Sequence, residues 1–285
     1  MVFYIQEGDI FNIPQIRNYA HGCNCAGAMG KGIALQFRKK YPQMYKQYKT
    51  LCREGRFGIG EIFIYQYDDG VIFNLGTQRT WKEKVQLKHI EQSLYKMLAY
   101  AQDRSIREIA MPAIGAGLGG GSWVDIKRAI NTISSEFPSV DLYVVENYRN
   151  MKLNITYVRK HWEEEDITFY MQFIGEYAVR QVEIYTEKAI CLSTTTPVCE
   201  NSILYDQSID QLSLSEKDII PKDEFDKIWE SLKKPNHGVG SLFERVDQGF
   251  SDLQWGQVFD LSGIKNSICP FYVANQIIGS YFSIV

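Results

Sequence analysis

Two rhythms of apolar residues run along this chain, and they change near residue 150. In the first half, short apolar runs alternate with longer stretches whose apolar residues recur every three or four positions. Residues 2–5, 61–67, 71–74, 108–111 and 142–145 are short, rich in β-branched or aromatic side chains and bounded by turn formers, which predicts strands. Leu87, Ile90, Leu94, Met97 and Leu98 share one face of residues 86–103. Val124, Ile126, Ala129, Ile130 and Ile133 do the same for residues 123–137, and both segments are predicted helices. A third helix is expected over residues 33–40, ending before Tyr41 because the proline that follows disfavours helical geometry there. Strands and helices in alternation predict an α/β layered domain.

Beyond residue 150 the segments 153–158, 167–173, 179–185 and 189–192 read as consecutive strands of an antiparallel meander, with turns at Gly175-Glu176 and Thr186-Glu187. The polar stretch 193–215 reads as a long loop. Residues 221–234 then predict an amphipathic helix, with proline in its first turn and Phe225, Ile228, Trp229 and Leu232 on one face. The expected organisation is an α/β domain over 1–150, a smaller α+β domain of sheet plus helix over 151–235, and an aromatic C-terminal extension over 236–285 that docks on something.

The composition, 285 residues of which 45% are hydrophobic, excludes large-scale disorder. No basic segment followed by a long apolar run opens the chain, and no stretch of about 18 apolar residues occurs, so the reading is a cytoplasmic protein without a membrane partner. The six cysteines show no C-x-x-C spacing, and His89, His161 and His237 lack companions at metal spacing. Reduced thiols are therefore expected, with no metal and no cofactor. The net charge of −3 hides an asymmetry: residues 1–150 carry 19 Lys and Arg against 14 Asp and Glu, and residues 151–285 carry 12 against 20. A basic first half suits a phosphate-bearing ligand, and an acidic second half suits a basic partner or solubility alone.

Two glycine-rich segments carry most of the chemistry. Residues 19–34 leave a short strand, pass glycines at 27, 30 and 32 and enter a helix; residues 111–123 repeat the pattern with five glycines in seven positions. Main-chain amides in such turns, with the helix N-terminus behind them, can cradle an anion, and two cradles suit a diphosphate. Neither segment has P-loop spacing, and the second lacks an acidic ribose-binding residue about 20 positions on, which disfavours a dinucleotide dehydrogenase.

Four motifs in order, Gly8-Asp9-Ile10-Phe11, then Asn24 with Met29-Gly30-Lys31-Gly32-Ile33-Ala34, then Thr77 to Trp81, then residues 112–123, resemble the macrodomain family over residues 1 to about 148. That family is an ADP-ribose-binding fold with a mixed central sheet between helices. Within it the chain resembles two branches, antitoxins that remove ADP-ribose from DNA bases and yeast and phage ADP-ribose 1″-phosphatases, whose motif is similar to His21-Gly22-Cys23-Asn24-Cys25.

The resemblance implies that Asp9 meets the adenine amino group with Ile10 beside it, and that Asn24 meets the distal ribose. It implies further that amides of Gly30, Lys31, Gly32 and Ile33 and of Gly115, Ala116, Gly117, Leu118, Gly119 and Gly120 hold the two phosphates, with Arg79 neutralising charge. His21 is the acid/base candidate, its ordinary pKa of about 6.5 suiting proton transfer. Each assignment has a structural alternative: Asp9 as a cap, Asn24 as a loop-fixing side chain, His21 packed beneath the loop, Lys31 and Arg79 in solvent.

Glycohydrolases of this family that use a catalytic lysine and aspartate place them where this sequence has Gln78 and Gly119, and glutamine cannot form a Schiff base. The implied function is binding of ADP-ribose and reversal of ADP-ribosylation of protein or nucleic acid, in an antitoxin or immunity setting. The alternatives are an ADP-ribose 1″-phosphatase using His21 and a non-catalytic reader or sequestering protein. The second half faintly resembles a domain found at toxin–immunity loci, which points to a toxin as partner of its acidic surface.

Overall fold

The computed structural model describes residues 1–68 and 70–232. The chain divides into two compact units, Met1–Asn154 and a second beginning at Ile155. The expected C-terminal extension, 236–285, and the end of the last predicted helix lie outside the described residues.

The first unit is built on β1 (Val2–Gly8), β2 (Tyr19–Asn24), β3 (Ile62–Tyr67), β4 (Gly70–Gln78), β5 (Glu108–Pro112) and β6 (Asp141–Tyr148). They form one sheet in the order β1-β6-β5-β2-β4-β3, parallel except for β3, which runs antiparallel beside β4. The helices are α1 (Gly32–Lys40), α2 (Pro42–Arg53), α3 (Leu87–Asp103) and α4 (Trp123–Ser135). A mixed sheet between helices is the architecture that the family resemblance implies.

Successive strand residues face opposite sides of the sheet, so each strand supplies two cores. Phe73 and Leu75 of β4, Ile109 and Met111 of β5, and Leu142 and Val144 of β6 pack with Ile90, Leu94, Met97 and Leu98 of α3 and Ile126 and Ile130 of α4. The alternate residues, among them Phe3, Tyr19, His21, Ile72 and Asn74, are buried too, as are Phe37 of α1 and Met44 and Tyr48 of α2. Each fully buried side chain of Leu or Phe size contributes about 2 kcal/mol over leaving it in water. Local chemistry sets the helix ends: the Ser122 hydroxyl accepts from the Asp125 amide at 3.4 Å, and Arg38, Lys39 and Lys40 occupy the last turn of α1, where cations oppose the helix dipole.

The second unit carries β7 (Ile155–Trp162), β8 (Ile167–Ile174), β9 (Tyr177–Ile184) and β10 (Ala189–Ser193) as an antiparallel sheet in the order β10-β9-β8-β7, the expected meander. Residues 193–215 are not all loop: they include β11 (Val198–Cys199) and β12 (Ser202–Ile203), which pair, and a 3-10 turn at Ile209–Leu212. Leu204 and Leu212 from this stretch pack with Met171, Phe173, Ile190 and Leu192. The helix α5 (Lys222–Ser231) buries Phe225, Ile228 and Trp229. The Arg180 guanidinium lies 4.8 Å from the Phe225 ring centre and 5.2 Å from that of Trp229, and it donates to Gln172 Oε1 and Asp226 Oδ1. That buried cation is neutralised and stacked, an arrangement suited to holding helix to sheet.

Candidate functional site

In a parallel sheet all strands end on one edge, and ligands of open α/β sheets bind beyond that carboxyl edge. Here the edge carries Asp9 after β1, Tyr148 at the end of β6, the loop 113–121 after β5, Asn24 with the loop 25–31 after β2, and Gln78 at the end of β4. At about 4.8 Å between neighbours, the four spacings from β1 to β4 span about 19 Å.

The first loop is organised by Asn24. The β2–β4 register shifts between Cys23 and Asn24, a bulge that redirects the strand end. Asn24 Oδ1 accepts from the amides of Ala26 (3.1 Å) and Ala28 (3.2 Å), and its Nδ2 donates to Ala28 O at 2.6 Å. The buried Tyr48 hydroxyl donates to Asn24 O at 2.5 Å, and the Cys25 amide donates to Gln78 O. Asn24 is thus a loop-fixing residue by geometry. Tyr48 is not legible in the sequence because α2 buries only Met44 and Tyr48, a spacing too sparse to mark a helix face.

The second loop is packed from below. A Cβ at Gly115 would meet Ile90 Cδ1 at 2.7 Å, and one at Gly121 would meet Val85 Cγ2 at 2.7 Å, so these glycines admit close approach of the loop to its support. Gly30 and Gly117 differ: neither has a positive φ and nothing lies within 4 Å of where a Cβ would stand. Neither backbone conformation nor protein packing explains glycine at these two positions, whereas a ligand lying against the main chain does. The two loops adjoin, since a Cβ at Gly32 would lie 3.4 Å from Leu118 Cδ1.

Among the described residues the amides of Gly30, Lys31, Gly32 and Ile33 on the first loop, and of Gly117, Leu118 and Gly119 on the second, donate to no protein acceptor. Unpaired main-chain donors on adjoining glycine loops form an anion cradle. Two of the expected amides are spent inside the loop and leave this set: Ala116 donates to Ala113 O and Gly120 to Gly117 O. Lys31 and Arg79 are exposed and make no ion pair among the described residues.

At the other end, Asp9 caps a 3-10 turn: its carboxylate accepts from the Phe11 amide at 2.9 Å and from Asn12 Nδ2 at 3.0 Å. Burial, together with the nearby Asp9 carboxylate, raises the Tyr148 phenol above its ordinary pKa. Ile10 beside Asp9 is wholly buried, so its amide, unpaired among the described residues, is what it presents there.

His21 does not suit the acid/base role expected of it. It is wholly buried, its ring stacked 3.9 Å from that of Phe37. Asn74 Nδ2 donates to Phe63 O, which turns Asn74 Oδ1 toward His21, so the imidazole donates from Nε2 at 2.9 Å. Burial, opposed by this hydrogen bond and one to the Gly22 backbone, lowers its pKa to about 4. Burial also pushes the Cys25 thiol up to about 11 and Cys23 well above its usual range, so neither is a thiolate nucleophile at neutral pH.

Residues 20–130 match the family model described as Macro domain. An ADP-ribose 1″-phosphate phosphatase from Candida albicans is 33% identical over 144 residues, covering 46% of this chain and 92% of the relative. The chain belongs to the macrodomain family. A DNA ADP-ribosyl glycohydrolase from Thermus aquaticus is 32% identical over 152 residues, which is 51% of this chain and 41% of that protein, so the chain spans about two fifths of the length of that curated relative. Among solved structures, the macrodomain of Mycobacterium tuberculosis DarG is 31% identical with a TM-score of 0.48, covering 51% of this chain and 97% of that one.

In this macrodomain Gln78 is engaged, its Nε2 donating to Glu83 O at 2.5 Å. Gly119 is hemmed in: a Cβ there would stand 2.8 Å from Gly115 O and 2.8 Å from Val85 Cγ1. Packing therefore excludes a carboxylate at 119. Gly119→Asp is expected to lower stability by about 3 kcal/mol, measurable as a fall in the urea midpoint at constant slope; an unchanged midpoint would show that the loop yields freely.

Proposed function

We propose that the macrodomain binds ADP-ribose along the carboxyl edge of its sheet and that the chain cleaves ADP-ribose from a modified nucleic acid. The observation that carries this is the pair of adjoining glycine loops with unpaired amides, whose Gly30 and Gly117 leave their backbone open to a ligand. The adenine lies at the Asp9 end, its amino group donating to the carboxylate. The diphosphate lies on the amides of residues 30–33 and 117–119, with Lys31 and Arg79 adding positive charge. The distal ribose lies over the Asn24 loop beside Gln78. Water attacks the anomeric carbon, the bond from that carbon to the base breaks, and the base takes up the proton; orientation and fixed dipoles supply most of the effect.

The name carried by the Thermus aquaticus relative supports the substrate class. A cytoplasmic setting, an antitoxin or immunity role, and a toxin as partner of the acidic second half belong to the same proposal. A second reading, binding without turnover, is favoured by Gln78 and by the closed packing around Gly119. The phosphatase alternative with His21 as the acid loses its support from the site, because that side chain is inside the core.

Calorimetric titration with ADP-ribose, followed by product analysis with an ADP-ribosylated oligonucleotide, tests the reading. Binding with release of ADP-ribose is expected; absence of binding would overturn it, and binding without release would select the second reading. Asn24→Ala removes three hydrogen bonds from the loop and is expected to weaken ADP-ribose at least about tenfold, with Tyr48→Phe milder. Unchanged affinity in Asn24→Ala would show that the first loop does not hold the ligand.

A further inference from the structure

We propose that the loop between β4 and α3, residues 79–86, is a docking surface for single-stranded nucleic acid, with the Trp81 indole as the platform on which a base stacks. The inference rests on the reading above that the substrate is an ADP-ribosylated nucleic acid, and it names the part of the protein that holds the strand.

Trp81 is 61% exposed and makes no ring or cation–π contact among the described residues. An indole held in water without a partner is an unusual use of the largest aromatic side chain. The loop that carries it is braced rather than slack. Gln78 Nε2 donates to Glu83 O, Thr80 Oγ1 donates to Glu83 Oε1 at 3.2 Å, the Lys82 amide donates to Thr80 Oγ1 at 3.4 Å, and the Val85 amide donates to Gly119 O at 3.0 Å. The acid of the loop, Glu83, is thereby tied to Thr80. Lys82 and Lys84 are exposed and form no ion pair among the described residues. An exposed aromatic face on a braced loop, flanked by cations without an ion-pair partner, is the combination that holds single strands: bases stack, and phosphates meet charge.

Position supports the same occupant. β4 lies at the opposite end of the parallel edge from β1, so this loop borders the distal-ribose end of the cleft. A group attached to that ribose has this loop as a neighbour. The platform is also tied to the second glycine loop, since Lys84 side-chain carbons lie 3.6–3.8 Å from where a Cβ on Gly120 would stand.

The test titrates the full chain with an unmodified oligothymidylate of about ten nucleotides at low salt, beside a separate titration with free ADP-ribose. Trp81→Ala is expected to weaken the oligonucleotide about tenfold, with Trp81→Phe recovering most of the loss. Lys82→Ala is expected to weaken it and to reduce the salt slope by about one. All three variants should bind free ADP-ribose as the unaltered chain does, which shows that they are folded. Oligonucleotide affinity unchanged in Trp81→Ala overturns the proposal, as does no binding of oligonucleotide by the unaltered chain. Trp81-dependent oligonucleotide binding without any ADP-ribose binding would overturn the ADP-ribose reading and leave this surface standing.

Discussion

A methyl group at position 76 is expected to cost the first unit about 4 kcal/mol. Gly76 lies in β4, two residues before Gln78, and a Cβ there would stand 2.2 Å from the carbonyl oxygen of Gly58 and 3.2 Å from its carbon. Both obstacles are backbone, and the two segments are clamped: Gly76 donates to Glu61 O at 2.8 Å, Gly60 donates to Gly76 O at 2.7 Å, and Glu61 donates to Gly58 O at 3.2 Å. Relief requires breaking some of these bonds in a buried setting, so the overlap and the lost hydrogen bonds add. Gly58→Ala is the control, because its Cβ would meet only Glu61 Cγ at 3.8 Å, an ordinary contact. Urea unfolding should show a large fall in midpoint for Gly76→Ala and a change within about 1 kcal/mol for Gly58→Ala. A midpoint for Gly76→Ala close to that of the unaltered chain would mean that the β3–β4 edge is far softer than its hydrogen bonding indicates.

Stability is expected to fall on acidification by about 3 kcal/mol through His21 alone. The folded chain holds this imidazole neutral down to about pH 4, against an ordinary value of 6.5, chiefly because burial between the sheet and Phe37 penalises the charged form. Protonation therefore favours the unfolded chain. The contribution is fully present above pH 6.5 and is lost progressively as pH falls from 6.5 to 4. His21→Gln keeps a donor for Asn74 and removes the titrating group. Its urea midpoint at pH 7 should be lower than that of the unaltered chain, and its decline between pH 6.5 and 4 should be shallower by one proton. Equal slopes for the two chains would show that His21 is accessible to protons in the folded state, and would return it to consideration as an acid.

The pattern of apolar positions was enough for five of the six strands and for α3 and α4 of the first unit, because strands such as β5 and helices such as α3 commit their apolar residues to one period; β2 and α1 were legible from the glycines between them and the proline beyond. The helix α2 was missed for a physical reason. Pro42 ends α1 but also occupies the first turn of a new helix, and the sequence that follows buries only Met44 and Tyr48. In the second unit, β11 and β12 are two residues each and are held by pairing with each other, a signal absent from local periodicity.

The site divides in the same way. Asp9 as a cap, Asn24 as a loop-fixing side chain and the two glycine turns were legible because residue type and order survive in sequence. Burial of His21 and Ile10, the bracing of Asn24 by Tyr48, and the placement of Tyr148 by Asp9 depend on neighbours far along the chain. The glycines make the point most sharply: Gly117 and Gly119 are alike as letters, yet one faces open space and the other is enclosed by Gly115 and Val85.

The order of the strands also fixes when this unit can be completed on the ribosome. β1 has one neighbour in the sheet, β6, and their register joins Val2 to Leu142 and Gly8 to Tyr148. The strand synthesised first therefore waits for the strand synthesised last, through the making of everything between them. Until then Phe3 and Ile5 have no strand beside them, and the nascent chain presents an unpaired apolar edge of the kind that chaperones bind. Closure of that outer pair is the event after which the carboxyl edge of the sheet exists as one surface.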